Sequence, residues 1–238
     1  MRQVVLGGWW TFTTDFESDL LSLYPDVAGW VTIGPGLLAD PVQLLAAMDI
    51  EFRRISDGEL ATSEEVSVQW SLVKSKRALG KLGGAKFLER VPPRLRATPE
   101  SVERAAQRKL LQNEAGIRRF FPGWDAFPAP GQMLISSITW AIGAGAWVHW
   151  PNFCTAVNAG RWAAVAVPHG APASCQMNEH GENDSFRRRN AANLELAKRA
   201  VVALAGGGVD ELDVRSVLLA AYAATGQTVP ARLRTANA

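Results

Sequence analysis

The segment from Phe16 to Leu38, FESDLLSLYPDVAGWVTIGPGLL, restricts the fold of this chain more than any other stretch. Val27, Trp30, Val31 and Ile33 alternate between Gly29, Gly34 and Gly36, which predicts a small antiparallel hairpin or three-stranded sheet between Asp26 and Leu38. Upstream, Thr13, Thr14 and Asp15 are candidate N-caps, and Phe16, Leu20, Leu21 and Leu23 predict a short apolar helix ending near Tyr24-Pro25. Glu17 would ride on that helix, Asp26 would follow the Tyr-Pro turn, and Thr32 would sit in a strand. Two carboxylates near a hydroxyl, one on an apolar helix and one on a more exposed turn, suit a general acid and a water-activating base on opposite faces of a sugar ring. Taken singly each residue is ordinary, since Glu is favoured in a first helical turn, Asp forms turns and Thr fills strands. Their meaning comes from occurring together.

Glu17, Tyr24, Asp26, Gly29, Thr32, Gly34 and Gly36 resemble the motif of the phage T4-type lysozymes, glycoside hydrolase family 24. That motif runs E, seven residues on to Y, then D, G and TxGxG, and the seven identities here fall within twenty positions. The resemblance implies Glu17 as proton donor, Asp26 and Thr32 as the residues that hold and activate water, and Tyr24 and Gly34 as supporting positions. It also implies an Arg from a helical lobe meeting the catalytic Glu. In Arg187 to Leu196, RRRNAANLEL, this register points to Arg189, with Arg188 as the fallback. Further along, Leu111 to Glu114 is loosely similar to the family, Met133 to Gly143 resembles its central helix, and Asn152 to Ala166 resembles its short helix followed by Arg-Trp. Two positions depart from the pattern. Leu37 stands where the family has a His that supports the lobe, and Ala141 stands where it commonly has a polar amide.

With 238 residues, of which 47% are hydrophobic, the chain can build one domain or two lobes around a substantial core. A formal charge of +2 gives no case for nucleic acid. Basic residues gather at Arg187 to Arg189, at Lys198-Arg199 and at Arg232 and Arg234; they read as solvated surface that is compatible with an anionic polymer. Cys154 and Cys175 read as small buried thiols, their pairing left open, and imply no disulfide framework. His149, His169 and His180 lie in or beside loops without HxxxH or CxxC, so neither a zinc site nor a Cys175-His nucleophile pair is expected. No cofactor is expected. The start, MRQVVLGGWWTFTTD, lacks a cleavable-signal pattern. Met133 to Trp150 approaches membrane length but carries Ser136, Ser137, Thr139, His149 and two glycines, and reads as a buried core helix rather than a stable membrane insertion.

Between these landmarks, PVQLLAAMDIEF predicts a helix from Asp40-Pro41, followed by a turn at Ser56-Asp57-Gly58 and a helix from Thr62-Ser63-Glu64-Glu65 through Ala78. Gly80-Lys81-Leu82-Gly83-Gly84 lacks a P-loop ending and reads as a flexible connection. Thr98-Pro99-Glu100-Ser101 opens a long helix through Phe120, and Phe121 to Gly131 is a turn-rich break. Trp162 reads as core. Last come helices over Ala191 to Leu204 and Asp210 to Ala224 around a Gly206-Gly207-Gly208 hinge, with a mobile tail after Gly226.

The expectation is a mainly α, α+β, lysozyme-like fold in one domain. It comprises a small catalytic lobe over 1–50, a helical elaboration over 51–97 that shapes substrate choice, a connecting helix and helical lobe over 98–225, and a tail over 226–238. The resemblance implies a muramidase that hydrolyses the β-1,4 bond between N-acetylmuramic acid and N-acetylglucosamine of peptidoglycan by inversion. Such an enzyme, made in the cytoplasm, would act in the periplasm or at the cell wall with help from a holin, a phage tail or a secretion machine, and an immunity protein could accompany it. A non-hydrolytic wall-binding or tail module and a lytic transglycosylase remain the alternatives.

Overall fold

A computed structural model describes residues 1–17, 19–166, 184–206 and 208–234, and it is mainly helical with a small antiparallel sheet. Two compact units emerge, one made of Met1–Phe16 with Lys109–Ala238 and the other of Glu17–Arg108. The first sixteen residues therefore pack with the later helices, so the expected 1–50 lobe is divided after Phe16.

The unit that begins at Glu17 is built on β1 (Leu20–Pro25), β2 (Val31–Gly34) and β3 (Leu37–Leu38), in the order β1-β2-β3 with both pairings antiparallel. Here one expectation is overturned: Leu20 to Pro25 is a strand, and Glu17 is not on a helix but in a bend before it. Burial explains the difference. Ser22, Leu23, Tyr24 and Pro25 are all buried, so the segment is covered on both faces and shows no alternation to distinguish it from a helix. The rest of the sheet is as the glycine spacing predicts.

After β3 comes α2 (Val42–Ala47), which stops well before Phe52 because Phe52–Arg54 forms β4 and pairs with β5 (Leu95–Ala97). The helix expected from Thr62 is α3 (Ser63–Ser75), where Thr62 and Glu65 form a reciprocal capping box. Arg54 grips the same Glu65, at 2.7 and 3.1 Å, and holds its carboxyl down at about 2. The supposed flexible glycine connection is instead a 3-10 helix, Arg77–Leu82, followed by α4 (Gly84–Arg90). Both pack on β1. A side chain at Gly80 would collide with the backbone carbonyl of Asp26, and one at Gly84 would meet Leu20 and Tyr24, so these glycines serve close approach rather than flexibility. Ser22 donating to the Leu95 carbonyl and Trp70 donating to the Ala39 carbonyl complete the attachment. Residues 51–97 are thus an integral part of this unit.

The division between units falls inside α5 (Pro99–Phe120), whose limits match the sequence expectation. In the other unit, α1 (Gln3–Thr13) packs with α6 (Ala129–Ile142) and α10 (Val214–Thr225), and α6 and α10 also pack with α9 (Asp184–Gly206). Phe121 meets Trp147, Phe127 and Phe153 edge-to-face at 5.0, 6.1 and 6.2 Å, making an aromatic centre for this core. As expected, Trp162, which begins α8 (Trp162–Val165), is core; it lies so close to α6 that only Gly131 fits opposite its ring. The apolar run from Met133 is buried helix only as far as Thr139. It then gives way after Ile142 to a 3-10 turn over Ala144–His149, ahead of α7 (Pro151–Asn158). Between Gly226 and Arg234 the tail is packed, since α11 (Ala231–Arg234) buries Leu233 and the Leu233 carbonyl accepts from Arg215; residues 235–238 lie outside the described residues. Among the described residues no helix is long and apolar enough to cross a membrane. Cys175, His169, His180 and the centre of the glycine hinge, Gly207, lie outside the described residues.

Gly80→Ala should lower the stability of the protein by about 1–3 kcal/mol in urea unfolding, because a rigid backbone carbonyl occupies the space its methyl needs. Gly83→Ala has open space around it, but φ 81° with ψ 153° is a region that essentially only glycine adopts, so it should cost about 1–3 kcal/mol through backbone strain alone.

Candidate active site

Asp26 follows β1 and folds the turn beyond it. Its Oδ1 accepts the amides of Ala28 at 2.9 Å and Trp30 at 2.8 Å, while its own amide donates to the Trp30 carbonyl and its carbonyl accepts from Gly29. This Asx-type closure satisfies the turn internally, and Oδ2 takes no hydrogen bond from the described residues. Beyond the turn, Tyr24 stands opposite Thr32 in the β1-β2 register. Buried Thr32 donates its hydroxyl proton to the Trp30 carbonyl at 3.1 Å.

Tyr24 is buried between the strands. Its hydroxyl donates to the Gly34 carbonyl at 3.2 Å, and burial, reinforced by the negative charges of Glu17 and Asp26, pushes its ionisation well above the ordinary tyrosine range. Gly34 has a φ of +58°, and a Cβ there would come within 2.5 Å of Val102 on α5, so this position admits neither the conformation nor the bulk of a side chain. Leu37, at the departure from the family pattern, is buried in β3 opposite Ile33 and supports the sheet by apolar packing. Ala141 is half-buried near the end of α6.

Arg188 and Arg189 belong to α9, in the unit that contains Phe16. Arg188 bonds Asp15 Oδ2 at 3.0 Å and Gln227 at 2.8 Å, and its guanidinium stacks over Tyr222 and Phe16. The guanidinium of buried Arg189 lies 5.3 Å from the Phe16 ring. Asp15 also accepts from the Tyr222 hydroxyl at 3.1 Å and from Arg232 at 2.7 Å. Sequence reading missed this cluster, having treated Asp15 as an N-cap; no local signal distinguishes a capping Asp from one that ends a helix against two distant arginines.

Around the Asp26 turn, three basic residues were also missed: Lys74, Arg77 and Lys81. Their i, i+3, i+7 spacing was the available sign of a shared helical face. Lys74 pairs with Asp40 Oδ2 at 2.5 Å, and the same oxygen accepts the Val31 amide at 3.1 Å, which anchors β2. Burial tends to raise the Asp40 carboxyl, but Lys74, the Val31 amide and the charge of Arg77 outweigh it and hold it below the usual carboxylate range. Among the described residues no cluster of three or more His, Cys, Asp or Glu could hold a metal ion.

Fold and site together define a mainly helical α+β protein with a small antiparallel sheet, in which Asp26 folds the turn after β1 and Thr32 stands opposite Tyr24. Comparison with protein-family models, curated proteins and solved structures finds no match to this chain.

Asp40→Asn should reduce stability near neutral pH by about 2 kcal/mol. A depressed folded-state value means that the ionised carboxylate stabilises above the unfolded carboxyl range, about pH 4, and that this contribution fades as pH falls through the folded value. The gap between wild type and Asp40→Asn in urea titrations should therefore be widest near neutrality and close in acid.

Proposed function

We propose that the protein is a glycoside hydrolase of the lysozyme type, a muramidase that cleaves peptidoglycan strands. The observation that supports this reading is the Asp26 turn, whose carboxylate is held by two amides at the end of the strand that Glu17 precedes, with Thr32 opposite Tyr24 in the register. A glycosidase needs one carboxylic acid to protonate the leaving oxygen and, for inversion, a carboxylate to take a proton from water on the far face of the ring. Glu17, half-buried in the bend before β1, takes the first role.

Asp26 and Thr32 take the second. Because Asp26 Oδ1 is held by two amides, the carboxylate plane is fixed and Oδ2 is left to accept from water. Because the Thr32 proton goes to the Trp30 carbonyl, its oxygen likewise accepts. A water donating to both acceptors turns a lone pair outward, which is the orientation attack on an anomeric carbon requires. Tyr24 and Gly34 support the strands. Action at the cell wall, after release or delivery by a holin, tail or secretion machine, belongs to the same proposal.

Digestion of purified peptidoglycan by wild type, Glu17→Gln and Asp26→Asn, with mass spectrometry of the products, tests it. Wild type should create new reducing ends, and each variant should lose at least about a hundredfold in rate while keeping its far-ultraviolet spectrum. Anhydro-muramyl ends would transfer the assignment to a lytic transglycosylase, and equal products from all three proteins would remove the proposed roles.

A further inference from the structure

The turn that positions Asp26 has a second side. Val27, Ala28, Gly29 and Trp30 form one wall of a concavity of about 350 Å³, and Lys74, Arg77, Ala78 and Lys81, from the end of α3 and the following 3-10 helix, form the other. Two glycines hold the walls together: Gly80 backs onto the Asp26 carbonyl, and Gly29 lies against the Arg77 stem, where a Cβ would come within 3.3 Å. The pocket is thus a product of the fold, formed where the 3-10 helix is pressed onto the turn.

Its chemistry is uneven. Lys74 is neutralised by Asp40 and also lies 4.8 Å from the centre of the Trp30 ring. Arg77 and Lys81 are exposed, and their side chains make no ion pair or hydrogen bond among the described residues. Trp30 is 51% exposed and Val27 77%, so the wall formed by the turn presents two apolar side chains to solvent. A half-bare indole offers a surface for the C–H face of a saccharide, and two exposed cations beside it, neither in an ion pair among the described residues, select a carboxylate.

We propose that this pocket is a binding subsite for the carboxylate-bearing part of a peptidoglycan strand, with Arg77 and Lys81 meeting the carboxylate and Trp30 the adjoining apolar face. The identity of the strand rests on the muramidase reading; the preference for a carboxylate over a neutral saccharide rests on the pocket itself. That carboxylate has two sources in such a strand, the stem peptide and, where the peptide is absent, the lactyl ether. Because the site adjoins the turn that fixes Asp26, its occupation would register a strand against the catalytic residues, favouring charged wall glycan over neutral chitin-type chains.

Isothermal titration of full-length Glu17→Gln protein, which keeps substrate intact, provides the test. Three probes are compared: soluble strands with stem peptides, the same strands stripped of peptide so that lactyl carboxylates are free, and neutral chitohexaose. Adding Arg77→Gln with Lys81→Gln should weaken binding of at least one carboxylate-bearing probe about fivefold at low salt. It should leave chitohexaose unchanged, and the difference should shrink in high salt. The probe that loses more identifies the source of the carboxylate, and Trp30→Leu should weaken all three. Unchanged affinity for both anionic probes, an equal loss for chitohexaose, no binding at all by the parent, or tighter binding of a single-stranded oligonucleotide than of either anionic probe overturns the proposal. Lys81→Gln alone, at an exposed position, serves if the double variant misfolds. Release of reducing ends by the wild type is scored separately, so absence of cleavage counts against the muramidase reading and the titrations alone decide the pocket.

Discussion

Asp26 spends one carboxylate oxygen on the amides of Ala28 and Trp30, and the geometry of the small sheet descends from that closure. A turn that satisfies its own donors does not depend on water to hold its shape, so the pairing of Tyr24 with Thr32 is set at its closed end. From that register follow the reach of the Tyr24 hydroxyl to the Gly34 carbonyl and the hydrogen bond by which Thr32 gives its proton to Trp30. Architecture and chemistry share one side chain here. Half of the carboxylate builds the turn, and the other half is held in a fixed direction as a consequence.

Residues between β4 and β5 reinforce the same turn from outside. Gly80 and Gly84 allow a 3-10 helix and α4 to press on β1 more closely than any side chain would permit, and Trp70 and Ser22 tie the flanks. Composition alone suggests mobility for a run such as Gly-Lys-Leu-Gly-Gly. The opposite holds here, because a glycine that lies against a neighbouring backbone is there for contact. The same packing brings Lys74, Arg77 and Lys81 to the turn and gives this unit a concentration of positive charge that a net charge of +2 conceals.

In the other unit a buried charge does comparable structural work. The Asp15 side chain has no exposed surface and is matched by Arg188, Arg232 and the Tyr222 hydroxyl. A carboxylate removed from water requires such matching, and one partner removed would leave the rest uncompensated. The arrangement joins the end of α1 to α9, α10 and α11, three elements more than 170 residues away in the chain. It also brings both Arg188 and Arg189 over the ring of Phe16, the residue before Glu17.

Local sequence was sufficient for whatever rests on local chemistry. The glycine-spaced hairpin, the turn at Asp26, the capping box at Thr62 and Glu65 and the span of α5 were legible from residue types and spacing, because turn closure, capping and periodicity act over a few residues. Tertiary structure alone decided that Leu20 to Pro25 is a strand, since Ser22 to Pro25 are buried on both faces and carry no period. It alone decided that α1 packs with the late helices, that the glycine run is ordered and that Asp15 is a buried anchor. Each of those outcomes depends on partners tens to hundreds of residues distant, whose approach no local pattern encodes.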